Sequence, residues 1–457
     1  MSKSRRSPRA LGLASTLLLV ACGGSGKAPV STGPVLIGDS TTTVATVDGA
    51  ASTSSAVAAP TGWTVDTSGC AEPSRAEQPI VGTVKIGSAM PLSGGPAAAF
   101  APVKDGFEQY LNYASENNLL PGYTLSVDIR DDQYDGTQTA AVVNGLIDDG
   151  VDIVAGIIGT PDNLAVRDTL NGQCIPQLLA LTGSPAWGQV ADYPWTTGAL
   201  VPYGVEADVY AAKLNELKPG AKVALFSVNN DFGKAYIDEF KKKADEYGLE
   251  IVDEQTVDEK SSDPPTTQVA DIAGKLPDAI VAIPLGVQCP AFLNELAKAK
   301  ALNAAWAPSV FITNSCASKL FFGLAGAAAE GVYTSNNLLD SDDPKNSSAP
   351  GVKTFLDAYA AAGLAGDPAV TQAGWNVGEA TVAILNAALK TGTLSRRSII
   401  EAARNLTFTP SLARPGVQYK MNGVDDPYAF QTLQVVQWVG ATQTFTDIGD
   451  PITEFES

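Results

Sequence analysis

Val151-Asp152-Ile153-Val154-Ala155-Gly156-Ile157-Ile158 is a short, almost unbroken apolar run that stops at Gly159. A run of this length, rich in β-branched residues and closed by glycine, predicts a strand buried on both faces. Thr160-Pro161-Asp162-Asn163 follows, small and polar, and a short helix is predicted over 165–170. Outward from this point the same unit repeats. Val84-Lys85-Ile86-Gly87-Ser88-Ala89 reads as a first strand, after which Val103, Phe107, Tyr110, Leu111 and Ala114 recur at helical spacing. Residues 123–129 alternate as a strand. Asp135 with Gln138 resembles a capping box ahead of a helix over 139–147. A further strand is predicted over 175–181.

A second series begins after Pro202. Tyr210, Leu214 and Leu217 share one helix face, which Pro219-Gly220 ends. Strands are predicted over 222–228, 249–257, 279–283 and 309–313, with helices over 234–247 and 291–299. Long helical patterns cover 371–390 and 395–405, and Val435-Val436-Gln437-Trp438-Val439 reads as a late strand. Strand–helix alternation implies parallel sheets covered on both faces by helices. Two series of similar size predict an α/β protein of two doubly wound lobes. The roughly 380 residues available for them exceed one ordinary core.

The start of the chain is of another kind. Leu19-Val20-Ala21-Cys22 is a lipobox closing a short apolar run behind Lys3, Arg5, Arg6 and Arg9. The run is too short to span a bilayer, so residues 1–21 read as a signal peptide. Cys22 is the expected lipidation site and first mature residue. Residues 22–66 are rich in Gly, Ser, Thr, Ala and Pro. Such a stretch cannot bury enough apolar surface to offset its conformational entropy. It is expected to be a flexible tether whose end Trp63 marks. The expected location is extracytoplasmic and membrane-anchored, at the cell surface or periplasmic face.

Composition excludes several chemistries. The formal net charge is −19, and loss of the four basic signal residues makes it more negative still. That speaks against nucleic acid or an anionic membrane surface as partner. The chain contains no histidine. This removes Ser-His-Asp and Cys-His catalysis, histidine zinc sites and histidine proton shuttles. No phosphate-binding glycine loop, Gly-x-Ser-x-Gly elbow or Cys-x-x-Cys occurs. Asp131 opens a stretch superficially like a calcium loop, but its twelfth position is Val142, where a bidentate Glu would be needed. Neither a metal nor a cofactor is expected. The pairs Asp148-Asp149, Asp342-Asp343 and Asp425-Asp426 read as solvated turns. With Cys22 lipidated, four cysteines remain, for which three pairings are open. Cys289 and Cys316 each follow a predicted strand, one unit apart, and are expected to pair. Cys70 and Cys174 are then left for each other.

Gly, Ser, Thr and aromatic residues cluster at the predicted carboxyl ends of strands, where open α/β sheets bind ligands. There the chain resembles a known family. Ile86-Gly87, Pro91-Leu92-Ser93-Gly94, Asp131-Asp132-Gln133, Gly159-Thr160-Pro161, Asn163-Leu164-Ala165-Val166, Pro176-Gln177-Leu178, Thr182-Gly183-Ser184, Pro194-Trp195-Thr196, Asn230-Asp231-Phe232-Gly233-Lys234 and Gly374-Trp375 are, in order and spacing, similar to the branched-chain amino-acid type of ABC transporter substrate-binding protein.

The resemblance implies the type I periplasmic-binding fold: two Rossmann-like lobes joined by a three-crossover hinge, with the ligand cleft between them. Lobe 1 would hold about 80–200 and 333–405, and lobe 2 about 201–332 and 406–457. It implies a binding protein and not an enzyme, a monomer expected to deliver a small-molecule ligand to an ABC permease in the membrane. A ligand-sensing surface lipoprotein is the alternative, and an extracytoplasmic enzyme a distant third. The ligand-binding residues it points to are Ser93, Phe100, Thr160, Asn163, Gly183, Ser184, Tyr203, Phe232, Asn314 and Trp375. Pro185 stands where many relatives carry a second hydroxyl. The acid that usually meets an α-ammonium would fall in Thr313-Asn314-Ser315-Cys316, which has none. Desolvating an unpaired ammonium is costly. Leucine, isoleucine and valine are therefore expected to bind weakly. A compact apolar or aromatic molecule with a carboxylate, amide or hydroxyl is expected to bind more tightly.

Overall fold

A computed structural model describes residues 62–455. The signal peptide, Cys22 and most of the expected tether lie outside the described residues. The first lobe is built on a five-stranded sheet of β1 (Thr83–Met90), β2 (Thr124–Asp131), β3 (Ile153–Ala155), β4 (Gln177–Ala180) and β5 (Thr196–Gly198). Its order is β2-β1-β3-β4-β5, and every pairing is parallel. The second lobe begins with β6 (Lys222–Val228), β7 (Glu250–Val257), β8 (Ala279–Ile283), β9 (Ser309–Ile312) and β10 (Tyr333–Asn336). These run β7-β6-β8-β9-β10, also parallel, so the two lobes share one strand order. A small hairpin, β11 (Thr407–Phe408) with β12 (Tyr419–Lys420), stands apart. Two antiparallel strands, β13 (Gln434–Val439) and β14 (Thr444–Asp447), finish the second sheet beside β10.

The apolar runs explain the burial. All of β3, β4 and β8 is buried, as parallel strands covered on both faces require. One core runs from a face of the first sheet, through the helix Tyr203–Leu217, to a face of the second. Separate clusters fill the outer faces: Val143, Leu146, Val166 and Leu170 on the first, Phe226, Phe292, Phe322 and Trp438 on the second. No helix among the described residues is long and apolar enough to cross a membrane.

The chain changes lobes later than the resemblance implied. Tyr333–Asn336, expected with lobe 1, pairs with β9 and β13 in the second sheet. Residues after 406, expected with lobe 2, first pack on first-lobe elements. Tyr419 Oη donates to the Ala403 carbonyl at 2.9 Å, and Tyr428 lies against Gly188. Only with Gln434–Val439 does the chain rejoin the second sheet. The tether also ends earlier than residue 66. The Trp63 amide donates to Asn405 Oδ1 at 2.9 Å, Val65 is buried, and the Arg404 guanidinium lies 5.1 Å from the centre of the Trp63 ring.

Both expected disulfides are present, Cys70–Cys174 and Cys289–Cys316, with Cα separations of 5.5 and 5.8 Å. The second joins the start of the helix Gln288–Leu302 to the turn Asn314–Cys316 after β9.

The helices Ala97–Glu116 and Pro368–Leu389 meet backbone to backbone. A Cβ on Gly106 would lie 1.9 Å from the Thr371 carbonyl oxygen, and one on Gly374 1.8 Å from that of Val103. Neither oxygen can yield without moving a helix. Gly374→Ala is expected to cost about 2 kcal/mol or more through overpacking. Gly172→Ala, where the methyl meets nothing, should change stability by less than about 0.5 kcal/mol. Urea unfolding midpoints of the two variants check this contrast.

Candidate functional site

The two sheets turn their carboxyl ends toward a cavity of about 210 Å³. Loops after β1 and β3 diverge because the neighbours of β1 lie on opposite sides, which opens a crevice at the switch point. Phe100 and Val103 enter it from the helix Ala97–Glu116, and Tyr134 from the turn after β2. Gly159 precedes the helix Thr160–Gly172 with φ +101°. A Cβ there would lie 2.4 Å from Asp162 Oδ2 and 2.6 Å from the Tyr134 ring, so only glycine fits. The second lobe contributes Phe232, Leu285, Asn314, Ser318 and Phe321. The segment leaving β10 adds Ser335 to Leu338 and Asp340. The lobes also touch across the mouth. Lys260 Nζ lies 2.9 Å from Asp135 Oδ2, and the Leu320 amide donates to Asp367 Oδ2 at 3.2 Å.

Of the residues singled out in the sequence, Phe100, Thr160, Tyr203, Phe232 and Asn314 line this cavity together. The other five are not among its lining residues. Ser93 is exposed, and its Oγ donates to Asp131 Oδ2 at 2.5 Å. Asn163 spends its amide on the Ile157 and Gly159 carbonyls, both at 2.8 Å, and accepts from Gln177 Nε2. Gly183 is needed for packing, since a Cβ would lie 2.3 Å from the Val201 carbonyl oxygen. Ser184 caps the short turn Pro185–Gly188. Trp375 sits behind the wall, in a ring cluster with Tyr110, Tyr113 and Phe355. Each lies in the right loop or helix, but its polar atoms or bulk serve the scaffold.

Thr160, Thr182 and Tyr203 form a triangle of hydroxyls with separations of 2.7, 3.2 and 3.3 Å. Each can donate to the next, so the three satisfy one another. Behind the opposite wall Glu206 is fully buried. It accepts from Tyr210 Oη at 2.8 Å, the Asn314 amide at 3.0 Å and Ser335 Oγ at 2.5 Å. Burial pushes its pKa up, and these donors act the other way. Glu206 thus sets the backbone on which cavity residues Asn314 and Ser335 sit, without itself being a lining residue.

Among the lining residues that the sequence did not single out, one is charged. Asp340 is buried at the hinge end of the cavity, and its neighbour Asp343 is buried too, not in a solvated turn. Nothing local distinguishes this stretch from a surface loop. Its position follows from the late crossing out of β10. The absence of an acid from 313–316 is therefore no measure of the acids available to a ligand.

A model of the periplasmic binding protein family matches residues 83–443. The chain belongs to that family. Its fold is the two-lobe type I fold that the sequence resembles, and solved structures share it. A branched-chain amino acid ABC transporter protein from Thermus thermophilus, with bound valine, superposes with a TM-score of 0.73 at 18% identity, covering 82% of this chain and 97% of that one. A fatty acid ABC transporter substrate-binding protein from Thermomonospora curvata gives 0.68 at 18% identity, over 82% and 95%. A solute-binding protein from R. palustris in complex with benzoate gives 0.67 at 18%, over 80% and 96%. No curated protein matches the chain.

In this periplasmic binding protein a paired acid is buried behind the Gly159 turn. Thr139 Oγ1 lies 3.1 Å from Asp132 Oδ2, 2.9 Å from Asp162 Oδ1 and 3.0 Å from the Asp135 carbonyl. A hydroxyl has one hydrogen to give. It cannot serve both carboxylates, so the arrangement suits a pair that retains a proton. Burial first, then mutual repulsion, raises Asp162 to about 8. Burial likewise raises Asp132 to about 6. Both therefore hold protons more tightly folded than unfolded, where the ordinary value is 3.8. Stability contributed by the pair is present at low pH and is lost as pH rises through that window. Thermal unfolding at pH 5 and pH 8.5 should show a smaller decline for Asp162→Asn than for the wild type. An equal decline would remove the pair as its source.

Proposed function

We propose that the chain is an extracytoplasmic solute-binding lipoprotein, lipidated at Cys22, that captures a small organic molecule by lobe closure and delivers it to an ABC permease. The observation that carries this reading is the composition of the cavity wall. Phe100 and Thr160 come from one lobe, Phe232 and Asn314 from the other, and Ser335 and Asp340 from the segment between. A molecule held there touches both lobes at once, so its binding free energy favours the closed arrangement over the open one. The ion pair across the mouth is weak. The Lys260–Asp135 pair is largely exposed on the lysine side, and such pairs are worth about 1 kcal/mol or less. Closure therefore depends on the ligand. The walls are mainly apolar, which suits capture and release of a small organic molecule. The similar structures that hold valine or benzoate support a small organic ligand. A monomer is sufficient, since both walls belong to one chain.

The test begins with mass spectrometry of molecules released on denaturing the purified protein. X-ray scattering of the stripped protein should then show a smaller radius of gyration when the identified ligand is added. No compaction at saturation would overturn lobe closure. Phe232→Ala should weaken binding by about tenfold or more, the equivalent of losing part of a buried aromatic contact, while the unfolding transition stays cooperative. Calorimetry measures the affinity.

A further inference from the structure

The hinge end of the cavity carries a buried polar atom without a hydrogen-bond partner, Asn336 Oδ1. Four residues on, Asp340 is 9% exposed. Its Oδ1 accepts from the Asp342 amide and its carbonyl from Asn346 Nδ2, both at 2.9 Å, while no hydrogen bond among the described residues reaches Oδ2. Both residues line the cavity. A buried acceptor left unpaired, as Asn336 Oδ1 is, is costly, and Asp340 places a carboxylate in the same wall, so this end suits a donor that the chain does not supply.

The charges agree. Asp340 is the one acid among the lining residues, and none of them is lysine or arginine. Asp342, Asp343 and Asp367 press on it from the same segment and from the cap of the helix Pro368–Leu389. Asp343 is balanced by Lys345 at 3.0 Å, and Lys319 acts on Asp342. A ligand carboxylate would meet no cation in this cavity. At the other end the hydroxyls of Thr160, Thr182 and Tyr203 already satisfy one another, and the Asn163 amide is engaged by the Gly159 carbonyl at 3.1 Å.

We propose that the cleft selects a small organic amine, with its apolar body between Phe100 and Phe232 and its ammonium donating to Asp340 and Asn336. The inference rests on the cleft being the solute site. It reverses the expectation drawn from residues 313–316, because the acid comes from the crossing segment instead of the strand end. No carboxylate on the ligand is needed.

The test uses the full mature protein, stripped of ligand with its disulfides intact, and three probes of one shape: 2-phenylethylamine, 2-phenylethanol and 3-phenylpropionate. Calorimetry should show the amine binding at least tenfold tighter than the alcohol and a hundredfold tighter than the acid. Asp340→Asn should abolish the amine's advantage and leave the alcohol within twofold. Asn336→Ala, which removes the carboxamide that carries the unpaired acceptor, should weaken the amine about threefold or more. An acid that binds as well as the amine, an amine that does not bind, or amine affinity indifferent to both substitutions would overturn the proposal. A neutral or acidic molecule that co-purifies, is lost in Phe232→Ala and is kept in Asp340→Asn would overturn the amine while leaving solute capture standing. Absence of any cleft binding would sink both.

Discussion

The buried carboxylate of Glu206 is the constraint on which the cleft depends. A charge taken out of water needs donors at close range, because desolvation otherwise outweighs any local gain. Glu206 finds them on three elements: Tyr210 one turn along its own helix, the Asn314 amide after β9, and Ser335 at β10. The helix Tyr203–Leu217 is the first to enter the second lobe, and β10 is the strand from which the chain leaves it. One side chain therefore binds the way in to the way out. Asn314 and Ser335, which it holds, are also part of the cavity wall. Moving the carboxylate would shift the wall and the hinge together.

Around that anchor the lobes are rigid where they must be. The Gly106–Gly374 contact locks the long helix Pro368–Leu389 against Ala97–Glu116, so the helix that returns from the second lobe is part of the first lobe's body. The disulfide Cys289–Cys316 ties together two strand-end loops of the second lobe. By contrast, the mouth is bridged by polar contacts such as a partly exposed ion pair and one amide on a capping carboxylate. Stiff lobes that share a cavity between them are the arrangement on which the proposed ligand-driven closure rests.

Much of the scaffold was legible from period and punctuation. The runs at 222–228 and 279–283 are strands with those bounds because apolar, β-branched segments closed by turns have few other solutions. The helices Thr266–Lys275, Lys319–Ala325 and Pro350–Ala361 escaped notice, as did the strand Tyr333–Asn336. In Tyr333-Thr334-Ser335-Asn336 the buried positions are Thr334 and Ser335, which no hydrophobic pattern marks. The same blindness affected the site. Asn163, Ser184 and Thr160 are alike as residue types in strand-end loops. Only packing decides that Asn163 braces β4 through Gln177 while Thr160 faces the cavity.

The sequence by itself determined the two-lobe α/β architecture, because alternating buried strands and amphipathic helices can cover their apolar faces in few ways. It also pointed to the sheet edge where the cavity lies, since the polar and small residues follow the strands at their carboxyl ends. It excluded histidine chemistry outright, and the places of Cys289 and Cys316 after successive predicted strands pointed to a pairing that the structure then decided. Tertiary structure alone decided where the chain crosses between lobes, and hence that Asp340 belongs to the cavity. That depends on β10 pairing with β9 and with β13, the latter far along the chain, as Tyr333 against Gln437 shows. No local pattern encodes which of several acidic turns such a pairing carries into the interior.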